Sequence, residues 1–227
     1  MTMLDDFYDL LDELQQRLGG TRVLADCDGR QGWPQRGVYF FFEPGEVRAD
    51  GRPRVVRVGT HALTSGSSTT LWKRLSQHRG HVGGNHAGGG NHRGSIFRHH
   101  VGTALFARDG DPLGLATSWS DRKQRNNAEH PHEVKVSHHI GSMPFLWLAV
   151  DDPPGPSSDR GVIERGAIAL LSAPSSRAAD QPSPGWLGRF SDRPAITSSG
   201  LWNVNHVGDR IDPPFMESLE RHISGNG

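Results

Sequence analysis

One cysteine, Cys27, in 227 residues excludes an internal disulfide framework and any four-cysteine zinc site, and makes a reducing, cytoplasmic setting the expectation. No stretch approaches the ~18 uninterrupted apolar residues of a membrane-crossing helix. The opening segment LDDFYDLLDELQQRL is acidic and amphipathic, unlike an export signal, so neither membrane nor export is expected. Surplus charge is missing as well. The 25 basic and 25 acidic side chains balance, which argues against indiscriminate coating of nucleic acid, since that mode draws on an excess of Lys and Arg. Acids vanish altogether between positions 72 and 100, where Lys73, Arg74, Arg79, Arg93 and Arg98 sit among six histidines. This is the strongest charge asymmetry in the chain and its natural meeting point with a polyanion.

What is present is a 34% apolar chain, enough for one elaborated domain over 1–227, with 29 glycines and 15 prolines marking long loops in which function is expected. Leu4, Phe7, Leu10, Leu11, Leu14 and Leu18 recur at spacings of three and four, which predicts a packing helix over 3–18 ended by Gly19-Gly20. GVYFFF at 37–42 and PRVVRVG at 53–59 read as two strands of a hairpin joined by EPGEVRADGR. A helix capped by Ser67-Ser68 runs to about Arg79, and it puts Arg74 and His78, four apart, on one face. GHVGGNHAGGGNHRG is too rich in glycine for a helix and reads as a mobile loop; a short helix follows at SIFRHHVGTALFA. Part of 121–140 is expected to be helical, and MPFLWLAV is expected to be a buried strand. RGVIERGAIALLS, capped by Ser158 or Asp159, is a helix that starts Glu164 beside the core with Ile168 and Leu171. The stretch 172–186 reads as a low-complexity loop, and a last helix occupies roughly 213–224 within a C-terminal segment 208–227.

Taken in order, Gly37-Val38-Tyr39, then Arg57-Val58-Gly59, then Arg74 and His78, then the lone helical Glu164, then Trp202-Asn203-Val204 resemble the GIY-YIG nuclease superfamily, from about 36 to 207. The resemblance implies an α/β (α+β) fold, a small mixed or antiparallel sheet flanked by helices, and a single divalent-metal site. It also implies hydrolysis of DNA phosphodiesters by an endonuclease, in restriction, defence or repair. The chemistry such a reaction needs can be filled from these residues. Tyr39, beside Arg57, can take the proton of the attacking water, with His61 as a second candidate. Arg74 offers a fork of donors to phosphate and His78 reaches the same point. Glu164 suffices to anchor Mg²⁺ or Mn²⁺, because a hard cation keeps waters and substrate oxygens as its other ligands.

If LWNVNHV is extended, Asn203 and Asn205 share one side, opposite Trp202, Val204 and His206, and Asn203 is the favoured supporting residue. Lys73, Arg79, Arg93 and Arg98 are expected to meet the DNA. Where the family usually has a second tyrosine this chain has Arg57, which suits a phenolate-stabilising cation and not a base. That substitution motivates the alternative reading, a catalytically inactive GIY-YIG-like module that binds nucleic acid or protein through 72–100. The histidines at 81, 86, 92, 99 and 100 match no compact ligand spacing, so a solvated loop partly facing DNA is expected there, without zinc.

Overall fold

The computed structural model describes residues 2–121 and 126–225. Helix α1 (Met3–Leu18) is followed by a two-residue strand β1 (Arg22–Val23) and the hairpin β2 (Gly37–Val47) and β3 (Pro53–Gly59). Helices α2 (Leu71–Arg79), α3 (Ile96–Asp109), α4 (Ala116–Ser120) and α5 (His130–Gly141) lead to β4 (Pro144–Ala149). The chain closes with α6 (Asp159–Ser172), α7 (Pro174–Ala179), α8 (Pro194–Ser199) and α9 (Pro214–Ile223). The strands form one sheet in the order β1-β4-β2-β3, and its neighbouring pairs run antiparallel, so the expected α/β class with a small central sheet is what the chain adopts.

The continuous apolar run GVYFFF follows from β2 lying between β4 and β3 with both its faces covered. Period two sends Val38, Phe40 and Phe42 into one core with α1, α6 and α9, while Tyr39 and Phe41 enter a second core with α2, α3 and α5. Strand β4 alternates in the same sense, with Leu146 and Leu148 in the first core and Phe145 and Trp147 in the second. Helix α1 is fixed at both ends, by a capping box between Thr2 and Asp5 and by Gly19 in the left-handed conformation at φ 72°.

Several expectations give way to local chemistry. Strand β2 continues to Val47 through EPGEV because the acids there are provided for: Glu46 pairs with Arg54 at 2.6 Å, and Glu43 accepts from the indoles of Trp186 and Trp202. The cap of α2 is Thr70, and Ser67-Ser68 belongs to the loop before it. The 172–186 stretch is only partly loop, since α7 occupies 174–179. In the glycine-rich stretch, His81 donates its backbone N–H to Gly89 and Gly88 returns one to His81, so it closes as a turn. Its glycines are needed for close approach: a side chain on Gly90 would overlap the guanidinium of Arg98. Of the helix expected within 121–140, the part from 130 is α5, and 122–125 lies outside the described residues. Among the described residues no helix is long and apolar enough to cross a membrane.

Candidate active site

Strand β3 ends at Gly59, and the helices on the two sheet faces converge on that end. Helix α6 brings Glu164 from one side and α2 brings Arg74 from the other, with both lining a cavity of about 580 Å³. Arg57, Thr60, His61, Asn203, Asn205 and His206 complete much of its wall. The carboxylate is set by backbone geometry, since Thr60 donates its N–H to Glu164 Oε1 at 3.1 Å while the Thr60 hydroxyl is tied to the Gly37 carbonyl at 2.8 Å. Both glycine-containing strand ends are thereby linked to the acid. Burial raises the Glu164 pKa above the usual carboxylate value, and the nearby Arg57, Thr60 N–H, His206 and Arg74 only partly offset it.

Tyr39 and His78 stand one layer below this cavity. Both side chains are 0% exposed, and the Tyr39 oxygen lies 2.9 Å from His78 Nε2, whose Nδ1 lies 2.8 Å from the Ser95 hydroxyl. The expectation that Arg74 and His78 share one point through their four-residue spacing is therefore corrected. Helix α2 runs from the cavity into the core, so Arg74 meets solvent and His78 is sealed against Tyr39, Phe41 and Phe97. Burial, reinforced by repulsion from Arg74, Arg57 and Arg98, holds the His78 pKa well below its ordinary value and keeps the ring neutral. Space for the phenol comes from Gly59, directly opposite Tyr39 in the ladder, where any β-carbon would overlap the Tyr39 hydroxyl. Gly59→Ala is expected to cost about 1–3 kcal/mol by overpacking, read as a lower midpoint in urea unfolding.

Arginine pairing separates the site from the rest of the interior. Among the buried arginines, Arg48 pairs with Asp180, Arg54 with Glu46, Arg98 with Glu133 and Arg160 with Asp152. Arg57 is 6% exposed and has no ion pair with a carboxylate among the described residues. Its Nη1 donates to the Trp202 carbonyl at 2.6 Å, the guanidinium lies over the Phe97 ring, and Nε has no hydrogen-bond partner among the described residues. Burial accordingly lowers its pKa, with the Tyr39 oxygen and Glu164 the neighbours that favour its charge. Among the described residues Arg74 likewise has a neutral partner, Gln77, and no carboxylate.

The 201–207 segment is not a strand, contrary to the period-two expectation. It imitates one at the open edge of β3: Trp202 N–H donates to the Val56 carbonyl, while the Asn203 amide accepts from Val58 N–H at 3.1 Å and donates to the Val58 carbonyl at 2.8 Å. Asn203 thus holds the site by closing the sheet edge, at about 1 kcal/mol per hydrogen bond. His206, placed by alternation on the side away from Asn203, lines the cavity with it because the chain turns there, at φ 64°. His61 has its Nδ1 at 2.9 Å from the Thr69 carbonyl, so the proton is on Nδ1 and the lone pair on Nε2, a buried atom with no hydrogen-bond partner among the described residues. Burial lowers the His61 pKa to about 4. The next residue, Ala62, is held left-handed at φ 57°, a conformation unfavourable for alanine.

The basic segment needs the largest correction. Lys73 is exposed on α2, and Arg79 lies over Trp72 and donates to the Cys27 carbonyl. Arg98 is 0% exposed and locked to Glu133, and Arg93 pairs with Glu129 at 2.7 Å, so neither presents itself to a ligand. His92, His99 and His100 are buried too, with His92 stacked on Trp119. Of these, His100 lines the Glu164 cavity, while Arg93 and Arg98 turn inward because Glu129 and Glu133, at the start of α5, supply the acids that 72–100 lacks. Nothing in the sequence singled out Arg193, Thr60 or His206 of the cavity wall; the tight turn VNHVGD was the one available signal for the last of these. Among the described residues no group of three or more His, Cys, Asp and Glu is placed to hold a metal ion.

Compared with known proteins, the chain matches a family model described as a GIY-YIG domain over residues 1–226. No curated protein and no solved structure matches it.

Proposed function

The chain belongs to the GIY-YIG domain family, whose members are generally nucleases, and from this we propose that it is a metal-dependent endonuclease that hydrolyses DNA phosphodiesters in the Glu164 cavity. The observation that carries the proposal is Arg57, a buried guanidinium that faces this cavity with no carboxylate partner among the described residues while the other buried arginines have one, joined there by the half-buried Arg74. A buried cation without a counterion costs several kcal/mol, and a phosphodiester entering the cavity supplies the missing charge. Opposite them, Glu164 has one carboxylate oxygen on Thr60 and the other available to a cation. A single carboxylate with solvent and substrate oxygens around it suits Mg²⁺ or Mn²⁺, and His61 Nε2 is a further lone-pair donor on the same wall. A cation held there by Glu164 would acidify the attacking water and offset charge on the phosphate.

The protein's own part is orientation and proton transfer. Arg74 grips a non-bridging oxygen from the α2 side. Arg57, drawn toward the phosphate, uncovers the Tyr39 oxygen beneath it, so the enclosed base becomes reachable only when substrate is present. Tyr39 receives the proton of the attacking water as it passes its own to His78 Nε2, which burial keeps unprotonated and ready. Asn203 keeps the β3 edge, and with it Arg57, in register.

The test incubates the protein with supercoiled plasmid, with and without Mg²⁺ or Mn²⁺. Wild type is expected to nick or linearise the DNA only with metal, and Tyr39→Phe to cut about 10²–10⁴-fold more slowly. Inactivity of the wild type on every substrate offered would favour the inactive binding module instead. The internal pairing of Arg93 and Arg98 weakens that alternative, because it removes two of the five basic side chains on which it drew.

A further inference from the structure

The nuclease reading supplies a phosphate grip, a metal anchor and an acceptor for the water's proton, but no donor for the departing alkoxide. A second titratable cluster on the cavity wall meets that need. His206 Nδ1 lies 2.9 Å from Asp209 Oδ2, and the carboxylate can only accept, so Nδ1 carries a proton and Nε2 is the ring atom left to act. The side chain is 32% exposed, open enough to exchange protons with water. It lines the same cavity as Glu164, Arg57 and Arg74, and its charge is felt by the Glu164 carboxyl.

The backbone around this dyad is specialised. His206 is held left-handed at φ 64°, a conformation that costs a non-glycine residue energy and that histidine tolerates better than most. The turn is fastened to the metal-anchoring helix itself, since Gly208 N–H donates to Ser172 Oγ at 3.0 Å near the end of α6. Glu164 and His206 are thus referred to one rigid element from two chain segments.

We infer that His206, oriented by Asp209, is the general acid that protonates the leaving oxygen of the scissile phosphodiester. As the bond from phosphorus to that oxygen breaks, its electron pair remains on the oxygen, which takes the proton from His206 Nε2. The water oxygen forms the new bond to phosphorus and gives its proton to Tyr39. The neutral imidazole then recovers a proton from solvent. His206 is the catalytic residue here and Asp209 a positioning residue. The charged groups that share the cavity or the turn with the ring are Glu164, Asp209, Arg57, Arg74 and Arg193.

This inference rests on the nuclease reading, and replacing the leaving oxygen by sulfur separates the two. A thiolate leaves without needing a proton, so a DNA duplex carrying a bridging phosphorothiolate at a mapped cut site bypasses the acid. His206→Asn, chosen because asparagine also accepts the left-handed turn, is expected to slow cleavage of the oxygen ester about 10²-fold or more while cutting the sulfur ester within a few fold of wild type. Asp209→Asn should follow the same pattern more mildly, slowing the oxygen ester and not the sulfur ester, a split that a merely structural role for Asp209 would not produce. Equal losses on both esters, or no loss on the oxygen ester, would overturn the assignment to His206 and leave the nuclease reading standing. A wild type inactive on both esters would overturn the nuclease reading and this inference with it.

Discussion

Glu164→Gln should lose DNA cleavage by about three orders of magnitude or more while making the metal-free protein more stable at neutral pH. The loss follows from removing the one carboxylate that faces the cavity among the described residues, since a Lewis-acid metal contributes several kcal/mol to the barrier and each 1.36 kcal/mol is tenfold. The gain follows from burial. Glu164 has a raised pKa in the folded chain, so between the unfolded value near ~4.3 and the folded value the native state binds more protons than the unfolded state. Stability therefore falls as pH rises through that window, and the penalty remains in full above it. Glutamine keeps the oxygen that accepts from Thr60 N–H but never ionises, which removes the penalty. The variant is expected to melt higher than wild type at pH 7, with the difference shrinking to nothing below ~pH 4. Paired melts at pH 4 and pH 7 without metal measure it. A variant that melts lower than wild type at pH 7 would mean that Glu164 is a structural ion-pair partner of Arg57 and not a strained metal anchor.

The same conflict between function and stability explains which parts of the site could be read in the sequence. Glu164 was legible because a lone acid flanked by Ile163, Ile168 and Leu171 on an amphipathic helix has to start at the edge of a core, whatever it does there. Tyr39 and Gly59 were legible as members of the two motif strands, and the ladder adds the physical reason that the glycine must face the tyrosine. Spacing alone could not divide Arg74 from His78. A four-residue interval gives a shared helix face, but whether that face meets water or another helix depends on α3 and Ser95, which arrive from 17 or more residues away. Alternation puts Asn203 at the right place with the wrong geometry, because a side-chain amide that imitates a strand partner leaves no alternating pattern. The most serious misreading concerned charge. A run of cations without acids looks solvated when only neighbours in sequence are counted, yet its acids can be delivered by any element that folds against it.

Glu133 is where that delivery is concentrated, and Glu133→Ala is expected to be the most destabilising single change outside the apolar core. Its carboxylate accepts from the backbone and ring of His92 and from Arg98 Nε, while the Arg98 fork also reaches the carbonyls of His78 and Glu133. Burial alone would raise the Glu133 pKa, but the His92 and Arg98 donors outweigh it and hold the carboxyl at about 2. Removing the acid strands the enclosed Arg98 guanidinium, at a cost of about 3–5 kcal/mol, equivalent to a melting temperature lower by roughly 10 °C for a chain of this size. Because Arg98 Nη1 holds the carbonyl of His78, the damage should reach the Tyr39–His78 contact, and cleavage should fall even at temperatures where the fold persists. The pH dependence has a fixed sign. A carboxyl with a lowered folded pKa contributes stability that is present in full above the unfolded value near ~4.3 and is lost as pH falls toward about 2, so wild type and Glu133→Ala should converge on acidification. The double variant Glu133→Leu with Arg98→Met distinguishes a stranded charge from a lost contact. Replacing both partners by apolar side chains of similar length should restore most of the stability, whereas a double variant as unstable as the two singles combined would show that the donors to His92 and to the backbone, and not the ion pair, hold α3 against α5.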